Sequence, residues 1–281
     1  MKLIDKYYNF LAPVKFPDKI LKRFGRLNDG GYVCEKKLVE DTKILITFGM
    51  GPDWTFELDC IKANSEIKIF MYDYTVSSLP YLKDIWKYFR RFITFRGGGR
   101  IGQKSNALKV RINYLYNYLS FFKLKNVFFF PEKITFPIKN KIDTDIDKVF
   151  SRVDQYSKSL NEPVILKCDI EGSEYEIIDG ILKYYNRIEA LIFEFHWLDK
   201  NELIFFKSIK KLQKYFDVAH IHGNNHSGKL ENGLPIILEM TFLNKKYSPS
   251  KKEYIKSFPI INLDAPNNPY KKDLIFQFDI E

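Results

Sequence analysis

The chain has 281 residues, 45% of them hydrophobic, with no repeat or low-complexity tract; this excludes collagenous and elongated classes and leaves one large α/β core or two small ones. Its formal net charge of +10 is concentrated, because eleven Lys and Arg residues but only one acid, Asp84, lie between Tyr81 and Lys125. Such a field favours anionic partners: phosphorylated sugars, nucleotides, nucleic acid or an anionic membrane surface.

No apolar run is long enough to span a bilayer and the first residues lack the apolar core of a signal peptide, so a cytoplasmic protein of one domain, 1–281, without a transmembrane segment is expected. Cys34, Cys60 and Cys168 are odd in number, far apart and without C-x-x-C spacing, and are expected as reduced thiols. Residues 1–22 carry apolar side chains at mixed spacing with Pro13 and Pro17, predicting a short helix and then an extended stretch, together an arm over 1–25. Asn28-Asp29-Gly30-Gly31 is turn chemistry, and Tyr32-Val33-Cys34 resumes a strand.

Residues 43–49 read as a buried strand of parallel type running into Gly49-Met50-Gly51-Pro52-Asp53 and a helix that ends near Ala63. Glycines at that junction let a ligand approach the backbone, and the amides of the new helix point at it. Residues 66–73 form a second strand ending in Asp73, close to the spacing at which an acid meets a ribose hydroxyl, so the unit suits an adenosine-containing ligand. The next strand, 126–131, comes late. The basic segment between is therefore an insertion after strand two, about 78–125, with helices predicted over 81–92 and 107–122 and a loop over 96–106. Its aromatic side (Trp86, Phe89, Phe92, Tyr114, Tyr118) is expected to pack inward, and its basic side to meet an anionic substrate as a lid.

A helix is predicted over 142–160. Residues 164–168 are then a buried strand followed by Asp169-Ile170-Glu171-Gly172 and a helix, and acids at the carboxyl end of such a strand are candidates for chemistry as well as for helix caps. A fifth strand, 187–197, carries Glu194 and His196 on one face by alternation. After a helix over 201–214, residues 216–226 and 236–243 form strands six and seven, antiparallel because no crossover helix joins them. All four histidines, His196, His220, His222 and His226, fall with strands five and six. With Asp169, Glu171 and Glu194 they supply general-base and divalent-metal chemistry.

Asn28 to Tyr32, Phe48 to Glu57, Asp73, the Asp169-x-Glu171-Gly172-x-Glu174 element, Glu194-Phe195-His196 and His220 to Asn225 together resemble the FkbM-type S-adenosylmethionine-dependent methyltransferases, over about residues 28–242. The resemblance implies an α/β, Rossmann-like class I methyltransferase with a seven-stranded mixed sheet of order 3-2-1-4-5-7-6, acting on oxygen and often on sugars. It implies that Gly49, Gly51 and Glu57 flank the methionine part of S-adenosylmethionine and that Asp73 holds its ribose. Asp29, Gly30, Tyr32, Asp53 and Asp169 complete the expected cofactor set. The catalytic candidates are Asp169, Glu171, His196 and His222. Either His222 or His196 takes the acceptor proton, or Asp169, Glu194 and His222 hold a divalent metal that lowers the hydroxyl pKa.

The expected acceptor is an anionic sugar, nucleotide-activated or phosphorylated, from a surface glycan such as a capsule or lipooligosaccharide. Two rivals remain: an NAD-dependent sugar oxidoreductase, and a nucleic-acid methyltransferase using the basic insertion. Gly51-Pro52-Asp53 places an acid where a pyrophosphate loop wants a third glycine, which counts against the first. Asn267-Asn268-Pro269-Tyr270 lies beyond the last strand and reads as a turn, which counts against the second. Homo-oligomerisation is left open.

Overall fold

The computed structural model describes residues 3–4, 6–93, 101–157 and 161–280. Its first strand, β1 (Leu3–Ile4), leads into a 3-10 helix at Lys6–Leu11 and then an extended stretch whose Val14 amide donates to the Val218 carbonyl at 2.7 Å. The hairpin β2 (Leu21–Phe24) and β3 (Tyr32–Glu35) follows, closed by the predicted turn. A short helix that the sequence did not announce comes next, α1 (Lys36–Asp41), capped by Glu35, whose side chain accepts from the Leu38 amide at 2.7 Å.

The central sheet begins with β4 (Ile44–Phe48), α2 (Thr55–Ala63) and β5 (Lys68–Tyr72). The inserted helices α3 (Leu79–Ile93) and α4 (Ile101–Phe122) stand between β5 and β6 (Val127–Phe130), as the late third strand predicts. Part of the loop expected over 96–106 lies outside the described residues, and from Ile101 onward the chain is helical. The short parallel pair β7 (Lys133–Ile134) and β8 (Asp143–Thr144) precedes α5 (Ile146–Tyr156). Here the prediction of one helix over 142–160 is corrected. Asp143 is held in β8 with its carboxylate accepting from the Lys139 and Asn140 amides of the preceding turn, at 2.9 and 2.8 Å, and the helix starts only where Asp145 caps it through the Lys148 amide at 2.9 Å.

The second half of the sheet runs β9 (Val164–Cys168), α6 (Glu174–Leu182), β10 (Ile188–Phe195), α7 (Leu198–Leu212), β11 (Phe216–Gly223) and β12 (Leu238–Asn244). The seventh helix begins three residues before the predicted position, because Trp197 in a left-handed conformation turns the chain sharply into it. The strands lie in the order β6-β5-β4-β9-β10-β12-β11, with β12 antiparallel to both neighbours and the other pairs parallel. Numbered along the chain within this sheet, that is 3-2-1-4-5-7-6, the Rossmann-like class I methyltransferase order.

Alternate residues of the strands feed two apolar layers. Ile44, Ile46 and Phe48 pack with Val149, Phe150, Ile178 and Phe205 on one side; Leu45, Ile69 and Met71 pack with Val39, Phe56, Cys60 and Phe121 on the other. Burial on both faces explains why these strands read as continuous apolar runs. A small sheet of β1, β13 (Ser257–Phe258) and β14 (Phe276–Phe278) was not foreseen. All three cysteines are free and buried. Among the described residues no helix is long and apolar enough to cross a membrane.

The inward packing expected for the insertion aromatics is also corrected. Tyr118 is buried, but Trp86 and Tyr114 are 61% and 53% exposed and Phe89 is exposed as well, because the layer over the sheet is filled by Trp54, Phe121 and Phe122 instead. The side chain of Phe92 lies outside the described residues.

Candidate active site

β4 ends at Phe48 and the chain turns through Gly49 and Gly51, both with positive φ, 68° and 55°. A Cβ on Gly49 would stand 1.6 Å from the backbone oxygen of Asp169, so glycine is what lets the ends of β4 and β9 close on each other. A Cβ on Gly51 would meet nothing within 4 Å. Asp73, at the end of β5, ties this turn down. Its Oδ2 accepts from the Met50 and Gly51 amides, both at 3.0 Å, and its Oδ1 from the Thr75 amide and hydroxyl, at 2.8 and 2.6 Å. Four donors fill a carboxylate's capacity, so Asp73 shapes the turn and orients Thr75.

Every residue expected to bind the cofactor, from Asp29 to Asp169, lines one cavity of about 580 Å³ at the carboxyl ends of β4, β5 and β9. Asp53 is braced there by Arg26, Nε to Oδ2 at 2.9 Å, and its Oδ1 caps α2 through the Thr55 amide at 2.9 Å. Glu57, in the first turn of α2, is buried and neither of its carboxylate oxygens has a hydrogen-bond partner in the structure. Burial raises its pKa, with the nearby Lys167 ammonium pulling the other way. Lys167 is buried too, donating to the Gly49 carbonyl at 2.9 Å and lying 3.9 Å from Asp169 Oδ2.

Behind Asp169 stands a group of acids around one imidazole. The Tyr32 hydroxyl, delivered by the hairpin, lies 2.7 Å from Asp169 Oδ2 and 3.1 Å from Glu194 Oε2. Burial, then Asp169 and Glu194, hold the phenol well above its ordinary pKa, so it stays protonated. Glu194 takes a second hydrogen bond from Asn224 at 2.7 Å, and burial next to Asp169 and Glu239 raises its pKa. His196 points Nε2 at Glu171, Asp169 and Glu194, at 3.6, 3.9 and 3.9 Å. Its Nδ1 lies 2.9 Å from Glu174 Oε1, which also accepts from the amides of Ile170 and Gly172 at 3.2 and 3.1 Å. An oxygen receiving two amides is an acceptor, so Nδ1 carries the proton and Nε2 faces the acids. Burial works against charge on this ring, but Glu174, then Glu194 and Asp169, raise its pKa to about 9, so among these acids alone it too is an imidazolium rather than the expected base, and only a cation bound at Nε2 would displace that proton.

The turns that present these groups are strained: Glu171 and Trp197 both adopt positive φ, 55° and 57°, and a Cβ on Gly172 would come within 3.0 Å of the Trp197 ring. Asp169, Glu171 and His196 each offer one atom within 4.8 Å of the others'. This set, with Glu174 fixing the imidazole tautomer, fits a divalent cation.

The metal set read from the sequence, Asp169, Glu194 and His222, is not assembled. His222 lies inside β11, beside Glu239 of β12, which is in turn paired with Glu194 of β10, so the inserted strand separates the histidine from the acids. Its Nδ1 is 3.2 Å from Glu239 Oε2 and its Nε2 is 3.2 Å from Asp273. Burial opposes charge there too, yet Glu239 and Asp273 raise its pKa to about 10, which leaves an imidazolium rather than a base. His220 stands in the same strand, 2.9 Å from Asp264, and His226 is exposed. Asn267, in the segment read as a turn, donates to Glu239 Oε1 at 2.6 Å and ties it to the hairpin through the Asp29 amide, 3.3 Å from its carbonyl. Lys167, Glu174 and Asn224 were missed as site residues. Glu174 and Asn224 did lie inside the motifs that carry the resemblance, and Glu174 is in addition an acid in a helix's first turn; Lys167 had no such signal.

No family model matches the chain, and no curated protein matches it either. Solved structures it is similar to include a precorrin-6y C5,15-methyltransferase from Geobacter metallireducens, 12% identical with a TM-score of 0.32, covering 74% of this chain and 87% of that one. A dimethyladenosine transferase from Plasmodium falciparum is 9% identical with a TM-score of 0.38, covering 75% and 60%. The fibrillarin pre-rRNA processing protein of Methanococcus jannaschii is 7% identical with a TM-score of 0.36, covering 82% and 84%. Likenesses this distant carry no weight for the reaction.

Proposed function

We propose that this protein is an S-adenosylmethionine-dependent O-methyltransferase acting on a sugar hydroxyl, with a nucleotide-activated or phosphorylated sugar of a surface glycan as acceptor. The observation that carries the reading is Glu57: a buried carboxylate beside Thr47 and the Lys167 ammonium, with neither oxygen in a well-formed hydrogen bond, on the wall of a cavity at the switch point of the sheet, suits a cationic ligand group. The α-ammonium of S-adenosylmethionine answers it. The amides of the Gly49–Gly51 turn and the Thr75 hydroxyl border the same space, and Asp73 fixes both.

Methyl transfer needs the acceptor oxygen in line with the sulfonium and a group to receive its proton. Asp169 and Glu171 line the cavity, whereas His196 and Glu194 do not, and of the two Asp169 is the one whose carboxylate is fixed in place, by Tyr32 and beside Lys167, so we assign it to meet the hydroxyl. Tyr32 holds its Oδ2 and leaves Oδ1 on the His196 side. A divalent cation on Asp169, Glu171 and His196 would lower the pKa of a coordinated hydroxyl. Titration calorimetry with S-adenosylhomocysteine is the direct test: micromolar binding is expected, and binding of NADH instead would replace this reading with its oxidoreductase rival. Asp169→Asn should then lower turnover by about 10²-fold or more, well beyond any loss of cofactor affinity, and a mass-spectrometric screen of nucleotide sugars identifies the acceptor.

A further inference from the structure

We propose that α3 is a docking element for an anionic lipid bilayer surface. This goes beyond the methyl-transfer reading and does not depend on it. Leu79, Leu82, Trp86 and Phe89 recur at three- and four-residue steps along α3 and are all exposed, and the Trp86 and Phe89 rings lie 6.1 Å apart as one patch. At 3.6 residues per turn they occupy a sector of roughly 80°. Lys83, Lys87 and Arg90 fill the adjoining sector. The opposite side is turned to α4, where the Arg111 guanidinium donates to the Tyr88 hydroxyl at 3.2 Å and lies 4.4 Å from its ring centre. The exposed apolar stripe is therefore not the face that holds the insertion together.

A tryptophan and a phenylalanine left in water beside a row of cations are unfavourable, and they match an interfacial helix: rings sink among the acyl chains while the cations meet headgroup phosphates. Charge selects the occupant. A second copy of this chain would bring the same basic row against itself. Lys83 and Asp84 also border a side cavity of about 440 Å³ that shares Gly51, Pro52 and Thr75 with the main cavity, so a bilayer under α3 lies at the mouth of the site.

The experiment sediments the full chain with phosphatidylcholine vesicles that contain or lack phosphatidylglycerol. Binding to the anionic vesicles is expected to be about tenfold tighter than to neutral ones. The pair Trp86→Ser and Phe89→Ser should weaken it by about tenfold or more, and Lys87→Glu by roughly fivefold. Both variants should keep the wild-type melting temperature and S-adenosylhomocysteine affinity, since neither touches the core or the main cavity. The proposal is overturned if the protein stays in the supernatant with anionic vesicles, or if the variants sediment as the wild type does. It also falls if vesicle binding is absent and the double variant instead abolishes a dimer, or Lys87→Glu abolishes binding to duplex RNA.

Discussion

Gly49 is the residue at which the two halves of the site meet, since its missing side chain is the space through which Asp169 passes. Gly49→Ala is expected to cost about 3 kcal/mol or more, from both the positive φ and the backbone clash, read as a shift of the urea midpoint. Glu57→Gln should do the opposite to stability while harming function. A carboxylate whose pKa is raised on folding loses stability as pH climbs past its unfolded value, so the amide variant melts higher at neutral pH, yet S-adenosylhomocysteine affinity should drop about tenfold or more. His222 has the same pH sign, but here the charged form is the one the fold favours. Its contribution is fully present below the unfolded pKa of about 6.5 and is lost as pH rises through its folded value of about 10. Wild-type stability should therefore decline across that window. His222→Leu, which strands Glu239 and Asp273, should lose about 3–5 kcal/mol at neutral pH and show no such decline in a pH series of melts.

At the scale of elements, the hairpin β2–β3 matters for what it carries inward. The Tyr32 hydroxyl meets Asp169, just after β9, and Glu194 of β10, so Tyr32→Phe should slow turnover by about 10- to 100-fold while weakening cofactor binding by only about threefold, because the ring on the cavity wall is kept, a split visible in kcat against the calorimetric Kd. The strands of the central sheet were legible because burial on both faces leaves a continuous apolar signal, and the turn at Gly49 because its chemistry is local. The partners of His222 were not legible. Asp273 lies some fifty residues on, in a segment without periodicity, and only the antiparallel insertion of β12 puts Glu239 beside that ring. Helix starts failed for a related reason: at Asp143 and Trp197 the decisive bonds and backbone angles leave no trace in hydrophobic pattern.

For the whole molecule, the uneven charge is the property that neither fold nor cavity accounts for. With eleven cations between Tyr81 and Lys125 on an otherwise near-neutral chain, association with an anionic acceptor should be steered over long range, and kcat/KM should fall about tenfold between low and half-molar salt while kcat stays level. The exposed aromatics on α3 ran against expectation because pattern tells a helix which face is apolar, not whether anything is there to cover it. The small sheet in which Leu3 is registered against Gln277 has a temporal consequence. A ribosome releases Leu3 long before Gln277, so an emerging chain carries an unmatched strand while the more than 270 residues between them are made, and this sheet is sealed only when residues 276–278 emerge. Contacts this remote in sequence form slowly. A nascent chain arrested before Phe276 should thus remain protease-sensitive near Ile4 even when the parallel half of the main sheet is already protected.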